Sequence, residues 1–581
     1  MLKAADRCYA NRQTDQRHGH PSGSPVRVKP VPKSQLPRWV ASTLFAITAV
    51  FLLGLFSTEF ADTDAWWHLA SGRYIVTQHR LPWPDPFAYT TAGAPPAYPG
   101  EDATRHFNLT HEWLAQAAMY VIYCVGGFNA LVLWKALLLA LLCLITGHIA
   151  RLRTGSMLWG IAASLATASL AIEFAHDRPS ILTYVFTAVF IAIFEEDRWH
   201  WLLPPLALLW ANCHGGFFLG WIVCGAYAAD ALRHRRWRII IISGAAVLVS
   251  LANPNGWSVL NTLFRYRQSA MQSTLIEWSR ADLWGPPWVF VVLLYAAAIV
   301  LAISWRRVRL SDWLLFAAFA AAAISAFRNE MLIGLLAPVL IVSYLRWKHP
   351  LPPFVSYAVI AALAIAIAWG AERGSFFQFR VAEWRFPAGA EDFLARRRIS
   401  VPLFNTYENG GYLIWRGQRV FIDGRALSES VFQDYRLIMG TAPADARRDQ
   451  ALARYGIGAI VLNGFEYNSG TLYPIVVALG DPSESEWKLA YDDAQALVFL
   501  RQLPPGVEAL PKSRIVDHLE AECRLHVERD PEFSLCARTL ADLFLKAGAR
   551  DRARTMLSLY LEHPYAEDPE AQRTYRELLR R

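Results

Sequence analysis

Long apolar runs constrain this chain most. Trp39–Ser57, Ala130–Ala150 and Pro287–Trp305 each approach the ~20 residues an α-helix needs to cross a bilayer. Comparable runs recur, giving spans near 39–57, 129–150, 157–174, 179–194, 199–212, 214–231, 239–252, 287–305, 312–326, 331–345 and 354–370. Several are short, so neighbours such as 199–212 and 214–231 read as half-buried or re-entrant pieces. Over the 581 residues, 54% are hydrophobic and 18% charged, against roughly a quarter charged in soluble domains. Disorder and an all-soluble globule are both excluded, and the expected fold is a polytopic α-helical membrane protein of about eleven spans. The net charge of +8 does not point to nucleic acid, because the basic residues sit in short clusters between apolar runs.

Those clusters orient the chain. Arg151/Arg153, Arg233–Arg238, Arg306–Arg309 and Arg346/Lys348 fall at alternate connections, on the side of the basic, Pro- and Ser-rich segment 1–38. By the positive-inside rule that side is cytoplasmic. Segment 1–38 reads as a disordered cytoplasmic tail, and the first span as an uncleaved anchor in a bacterial inner membrane. The expected organisation is a membrane domain over 39–375 with a large first outer loop at 57–128, an extracytoplasmic α/β domain over 376–502 and a helical tail over 503–581.

The polar motifs gather on the outer side. The first loop carries Asp62, Asp64, His68, His111 and Glu112; the next outer turn carries Glu173, His176, Asp177 and Arg178; later ones carry Asn212/His214, Asn253/Asn255, Glu277 and Arg328/Asn329. Each taken singly reads as a helix-end residue solvated at the interface. Ionisable groups near membrane depth cost roughly 2.5–3.5 kcal/mol each, so their joint retention on one face points to a cavity handling a polar substrate.

Beyond residue 371, Val401–Phe404, Gly411–Trp415, Arg419–Ile422, Gly458–Leu462 and Ala496–Leu500 read as strands, between helices near 388–398, 430–439 and 444–455. LADLFLKAGARDRARTMLSLYLEHP looks like one tetratricopeptide-type hairpin; it cannot bury its own face, so it should pack on the preceding domain, with protein-partner docking as a possible role. Cys523 and Cys536 stand thirteen apart in this oxidation-permissive region, and a helical hairpin brings such a pair within the ~4.4–6.8 Å Cα separation of a disulfide. The chain has no CxxC box, P-loop, GxGxxG after a strand or GxSxG elbow, so zinc, nucleotide-driven and serine-hydrolase chemistry lack support.

ADTDAWWHLASGRY, just after the first span, resembles the acid-bearing first loop of GT-C integral-membrane glycosyltransferases, oligosaccharyltransferase catalytic subunits in particular. TYENGGYLIWRGQRVFIDGRAL at 406–427 is similar to the soluble-domain segment of those subunits, although Tyr407, Glu408 and Asn409 replace its aromatic pair and acid. HEWL and ANCHGG resemble segments of bacterial membrane proteins with the same layout. The resemblance implies that Asp64 matches the first-loop catalytic acid and that Glu173 or Asp177 takes the place of the second-loop acids.

Glycosyl transfer needs a carboxylate for the acceptor's proton and cationic groups for a departing phosphate. Asp64 is the candidate base. Asp62 and Asp64, with Asp177, form a candidate oxygen-ligand set for a divalent cation such as Mg or Mn; the plainer reading is that one of them caps the helix starting near Ala65. Trp66 and Trp67 read as an interfacial belt. Glu112 is a further catalytic candidate. His68, Glu173, His176, Arg178, His214, Arg328, Asp423 and Arg425 are candidate substrate contacts, the arginines for phosphate, although Asp423 and Arg425 also read as a turn-stabilising pair. The expected function is transfer of a sugar or oligosaccharide from a polyprenyl-phosphate-type donor in the bilayer to an envelope acceptor. The rival classes are a flippase for lipid-linked saccharide, which inverted repeats would favour, and a non-catalytic envelope scaffold. Reporter fusions after Arg235 and after Arg501 should show opposite sidedness; equal sidedness would overturn both topology and site.

Overall fold

In the computed structural model, the described residues are 36–580 apart from 266–270, 272–275, 346–350, 426, 441–444, 468 and 563–567. Nearly all of the expected 1–38 tail and the Arg346/Lys348 cluster lie outside them. A helix stands at each expected apolar run. In chain order the first nine helices are α1 (Arg38–Phe56), α2 (Ala65–Gln78), α3 (Glu101–Thr110), α4 (Trp113–Thr154), α5 (Met157–Ala171), α6 (Ser180–Glu196), α7 (Leu203–Cys213), α8 (Phe218–Arg233) and α9 (Trp237–Val249). The remaining apolar helices are Trp288–Ile303, Leu310–Ser325, Met331–Tyr344 and Pro353–Glu372. By length and composition six stretches can cross a membrane: Arg38–Phe56, Glu101–Thr154, Met157–Phe174, Gly215–Arg233, Phe327–Tyr344 and Pro353–Glu372. Trp237–Val249, Trp288–Ile303 and Leu310–Ser325 are shorter apolar helices.

Apolar side chains of α4, α5, α6 and Met331–Tyr344, including Leu139, Leu170, Ile181 and Leu336, form the bundle core. The 42-residue α4 breaks at Gly126 and at Gly127, whose φ is +62°, a conformation glycine adopts without steric cost. At one end of the bundle Arg153 meets Glu195 and Asp312, both at 2.8 Å. Arg309 meets the same two carboxylates at 2.6 and 3.1 Å. Tyr227 and Tyr344 donate to Glu195 and Asp312, each at 2.5 Å. Two of the basic clusters therefore share one end, where the network ties α4, α6 and α8 to two later helices.

The acid-bearing loops sit at the opposite end, against the C-terminal part. Single parallel bridges join Phe60 to Val381 and Ala88 to Val420. The sheet there is β1 (Leu403–Asn405), β2 (Ala459–Leu462), β3 (Lys488–Asp492) and β4 (Leu497–Leu500), in the order β1-β2-β4-β3. β1 runs parallel to β2; β4 is antiparallel to both β2 and β3. Two strand expectations need correction, and one strand was not expected. Gly410–Trp415 is a helix, because its apolar face packs on α2, with Tyr412 4.9 Å from Trp66 between ring centroids. Arg419–Ile422 contributes only the Val420 bridge. Lys488–Asp492 is a strand that alternation in the sequence did not mark.

Helices Leu535–Lys546 and Arg550–Leu561 pair through Leu540, Ala541, Phe544, Met556 and Leu557, and these residues share one apolar core with Phe404, Ile460 and Phe499 of the sheet region. Cys523 and Cys536 form a disulfide with Cα atoms 5.7 Å apart. Closing a loop of this length stabilises by about 3 kcal/mol in the chain-entropy account. Replacing both cysteines by serine should therefore lower the unfolding midpoint of the C-terminal part and remove the effect of reductant on it, as read by thermal unfolding with and without dithiothreitol.

Candidate functional site

The first loop, the turn after α5, the 276–278 turn and the C-terminal domain converge on one guanidinium. Arg178 Nε donates to Asp62 Oδ2 at 2.5 Å. Its Nη1 contacts Asp64 Oδ2 at 2.9 Å and Glu277 Oε1 at 2.7 Å, leaving Nη2 without a partner among the described residues. Arg328 reaches the other oxygen of Glu277 at 3.5 Å and lies 4.9 Å over Trp278. The Arg178 and Arg328 side chains are 22% and 32% exposed.

Local structure explains the placement. Asp62 Oδ1 accepts the Asp64 N–H at 2.9 Å, and Asp64 stands at the N-cap of α2 without a side-chain capping hydrogen bond. Trp66 and Trp67 are 3% and 7% exposed, which corrects the interfacial-belt expectation: Trp66 lies edge-on to Phe60, Phe386 and Tyr412 and anchors the loop to the C-terminal domain. Asp177 accepts the Ala61 and Asp62 N–H groups at 3.1 and 3.4 Å and meets Lys135 at 2.9 Å. Lys135 also donates to the Thr58 and Glu59 carbonyls at 3.2 and 3.3 Å.

The two loop aspartates are driven apart electrostatically. Burial pushes Asp64 up to about 6; Arg178 opposes this, and the neighbouring charges of Asp62 and Glu277 add to it. Burial acts on Asp62 in the same sense, yet Arg178 and then His176 hold it well below the usual carboxylate range. Glu277, against its own burial, is brought down to about 2 by Arg178 and Arg328. Two adjacent carboxylates with separated protonation ranges are what acid/base division of labour requires.

The expected metal set does not fit this arrangement. Arg178 lies on both Asp62 and Asp64, Lys135 lies on Asp177, and no group of three or more His, Cys, Asp or Glu among the described residues is disposed to hold a metal ion. A divalent cation would have to displace a fixed guanidinium or ammonium.

A second cluster adjoins the first. Glu112 Oε1 lies 3.3 Å from both His111 Nε2 and His214 Nε2, and its Oε2 lies 3.3 Å from His68 Nδ1. His214 Nδ1 accepts from Gly216 N–H at 3.0 Å, which assigns its proton to the nitrogen facing Glu112. Burial, opposed by Glu112, pulls His68 down to about 4. The glycines of the NCHGG turn give room: a methyl group on Gly215 would lie 2.9 Å from the His111 ring.

The remaining candidates border this cluster or serve other contacts. Arg425 pairs with Asp423 at 2.6 Å and with Asp85 at 2.8 Å, so this guanidinium fastens the C-terminal domain to the first loop. Glu173 sits exposed on a 3-10 turn, and the carboxylate it faces is Glu330. His176 is exposed beside Asp62. The site list drawn from sequence omitted Glu277, Lys135, His111 and Asp85. Lys135 carried a legible signal, a lone lysine within an apolar run.

These features describe a membrane protein with a carboxylate–guanidinium site at one end of its helical bundle, against its C-terminal domain. No family model and no curated protein matches the sequence. Among solved structures, the fold is similar to the Archaeoglobus fulgidus oligosaccharyltransferase tethered to an acceptor peptide containing the NVT sequon (TM-score 0.49, 11% identity, 81% of this chain and 75% of that one). It is also similar to ArnT from Cupriavidus metallidurans bound to undecaprenyl phosphate (TM-score 0.43, 13% identity, 80% of this chain and 98% of that one). Both are GT-C glycosyltransferases, the class whose motifs the sequence resembles. A likeness at this level says nothing of donor, acceptor or mechanism, which stand or fall on this chain's own residues.

Asp64 offers a stability test. A carboxyl whose folded-state pKa, about 6, lies above the ordinary aspartate range makes the fold weaker as pH rises from that range through about 6, and the cost persists at pH 7. Asp64→Asn should hold or raise the thermal midpoint at pH 7. Arg178→Gln leaves its carboxylates uncompensated and should lower stability by about 3 kcal/mol, both read by thermal unfolding of protein in nanodiscs.

Proposed function

We propose that the chain is a GT-C-type glycosyltransferase that moves a sugar or oligosaccharide from a polyprenyl-phosphate-type donor to an acceptor on the extracytoplasmic side of a bacterial inner membrane. The observation carrying this reading is Asp64, a carboxylate with its pKa raised to about 6, 2.9 Å from an arginine that keeps one nitrogen without a partner among the described residues. Asp64 takes the proton of the acceptor nucleophile as its bond to the anomeric carbon forms. The bond from that carbon to the phosphate oxygen breaks, the electron pair leaves with the phosphate, and Arg178 Nη2 and Arg328 receive the charge. Asp62, held ionised, keeps Arg178 oriented. No divalent cation enters this scheme, since Arg178 and Lys135 supply the positive charge at the carboxylates.

Mass spectrometry of lipid-linked and envelope glycans, with and without the gene, identifies donor and acceptor. With these in hand, Asp64→Asn should lower turnover by at least ~10²-fold, the scale of losing a general base, while the protein stays folded. Wild-type turnover should fall with pH below about 6 as Asp64 protonates and survive chelation of divalent cations. An unchanged glycan profile without the gene, or parental turnover in Asp64→Asn, contradicts the reading.

A further inference from the structure

The C-terminal domain reaches Asp64 through backbone alone. A methyl group built on Gly424 would lie 1.8 Å from Asp64 Oδ1, 2.8 Å from its Cγ and 3.2 Å from Oδ2. Real Cβ atoms essentially never approach heavy atoms within 3.0 Å. Gly424 is not among the glycines with φ in the left-handed region, so what glycine supplies here is space for a carboxylate rather than a special backbone conformation.

Neither side of the contact has slack. Arg425 N–H donates to Asp423 Oδ1 at 3.0 Å, and the Arg425 guanidinium holds both carboxylate oxygens of Asp85 at 2.8 and 3.2 Å. Asn108 donates to the Arg425 carbonyl at 3.2 Å and Asn405 to the Ile422 carbonyl at 2.8 Å. Gly410 backs the same segment, where a methyl group would lie 2.2 Å from the Ile422 oxygen. On the other side, Asp64 is held by Arg178 through Oδ2 at 2.9 Å and by Asp62 through its N–H at 2.9 Å.

We propose that Gly424 is a positioning residue for Asp64: by presenting a side-chain-free backbone to Oδ1, the docked C-terminal domain fixes the rotation of the carboxylate so that Oδ2 meets Arg178. The site is then complete only when the Asp85–Arg425–Asp423 contact has seated the domain on the first loop. The functional meaning rests on Asp64 as the base, but the contact itself is testable without turnover.

The test uses full-length protein in nanodiscs and a water-soluble carbodiimide, which modifies protonated carboxyls, with peptide mass spectrometry as the readout. Gly424→Ala should swing the Asp64 carboxylate off Arg178 and raise its modification at pH 7 about fivefold, the change in protonated fraction as its pKa moves from about 6 to about 7. Exposed Asp517 should be unaffected, and Gly93→Ala, with open space around it, should change neither. Gly424→Ala should also lower the thermal midpoint, and Asp64→Ala should relieve that loss. If Gly424→Ala alone yields no folded protein, the Asp64→Ala/Gly424→Ala protein should still fold. Unchanged Asp64 labelling, an equal stability loss in the Asp64→Ala background, or failure of the double variant to fold would each overturn the proposal. If labelling and stability behave as stated but glycans are unchanged without the gene, the positioning contact stands and the transferase reading falls.

Discussion

The site depends on a single half-buried cation shared by three carboxylates. Arg178 touches Asp62 and Asp64 of the first loop and Glu277 of a turn 99 residues beyond Arg178 itself. Burying one guanidinium among three acids is tolerable only if one acid holds a proton for part of the time or the charge is balanced nearby. Arg328 balances Glu277, Lys135 balances Asp177, and Asp64 is left as the carboxyl whose charge is least supported. The raised pKa of Asp64 is thus a consequence of how the other charges are satisfied.

The two ends of the bundle use charge differently. Opposite the site, Arg153, Arg309, Glu195 and Asp312 form a balanced network with two tyrosine hydroxyls. Five helices are tied there, which is ill suited to the rocking of half-bundles that alternating access requires. At the site end, by contrast, two guanidiniums remain partly exposed. A bundle tied at one end, with partly exposed arginines and acids at the other, suits a reaction at a membrane face better than passage through it.

Much of this was legible in sequence because hydrophobic runs and charge clusters are local signals. Every apolar run became a helix, and Asp62, Asp64 and Arg178 were recognisable as acid and cation at loop mouths. What was not legible depends on distant partners. Arg425 and Asp85 are 340 residues apart, so their pairing leaves no local trace. Gly411–Trp415 read as a strand because a short apolar run carries no period that separates strand from helix; its contact with Trp66 decides. Trp66 itself looked like a belt residue because burial beneath a second domain cannot be read from its neighbours. Glu277 stood out as polar, but only the fold shows that it shares Arg178 with Asp64.

The central claim is that Asp64 and the two arginines form one site for a lipid phosphate. The most direct measurement is an experimental density map of the protein in nanodiscs containing polyprenyl phosphate. The account predicts the phosphate against Arg178 Nη2 and Arg328, with the Asp64 carboxylate beside it on the outer side. Phosphate bound at the Arg153/Arg309 end, or Asp64 turned to lipid and away from Arg178, would contradict it.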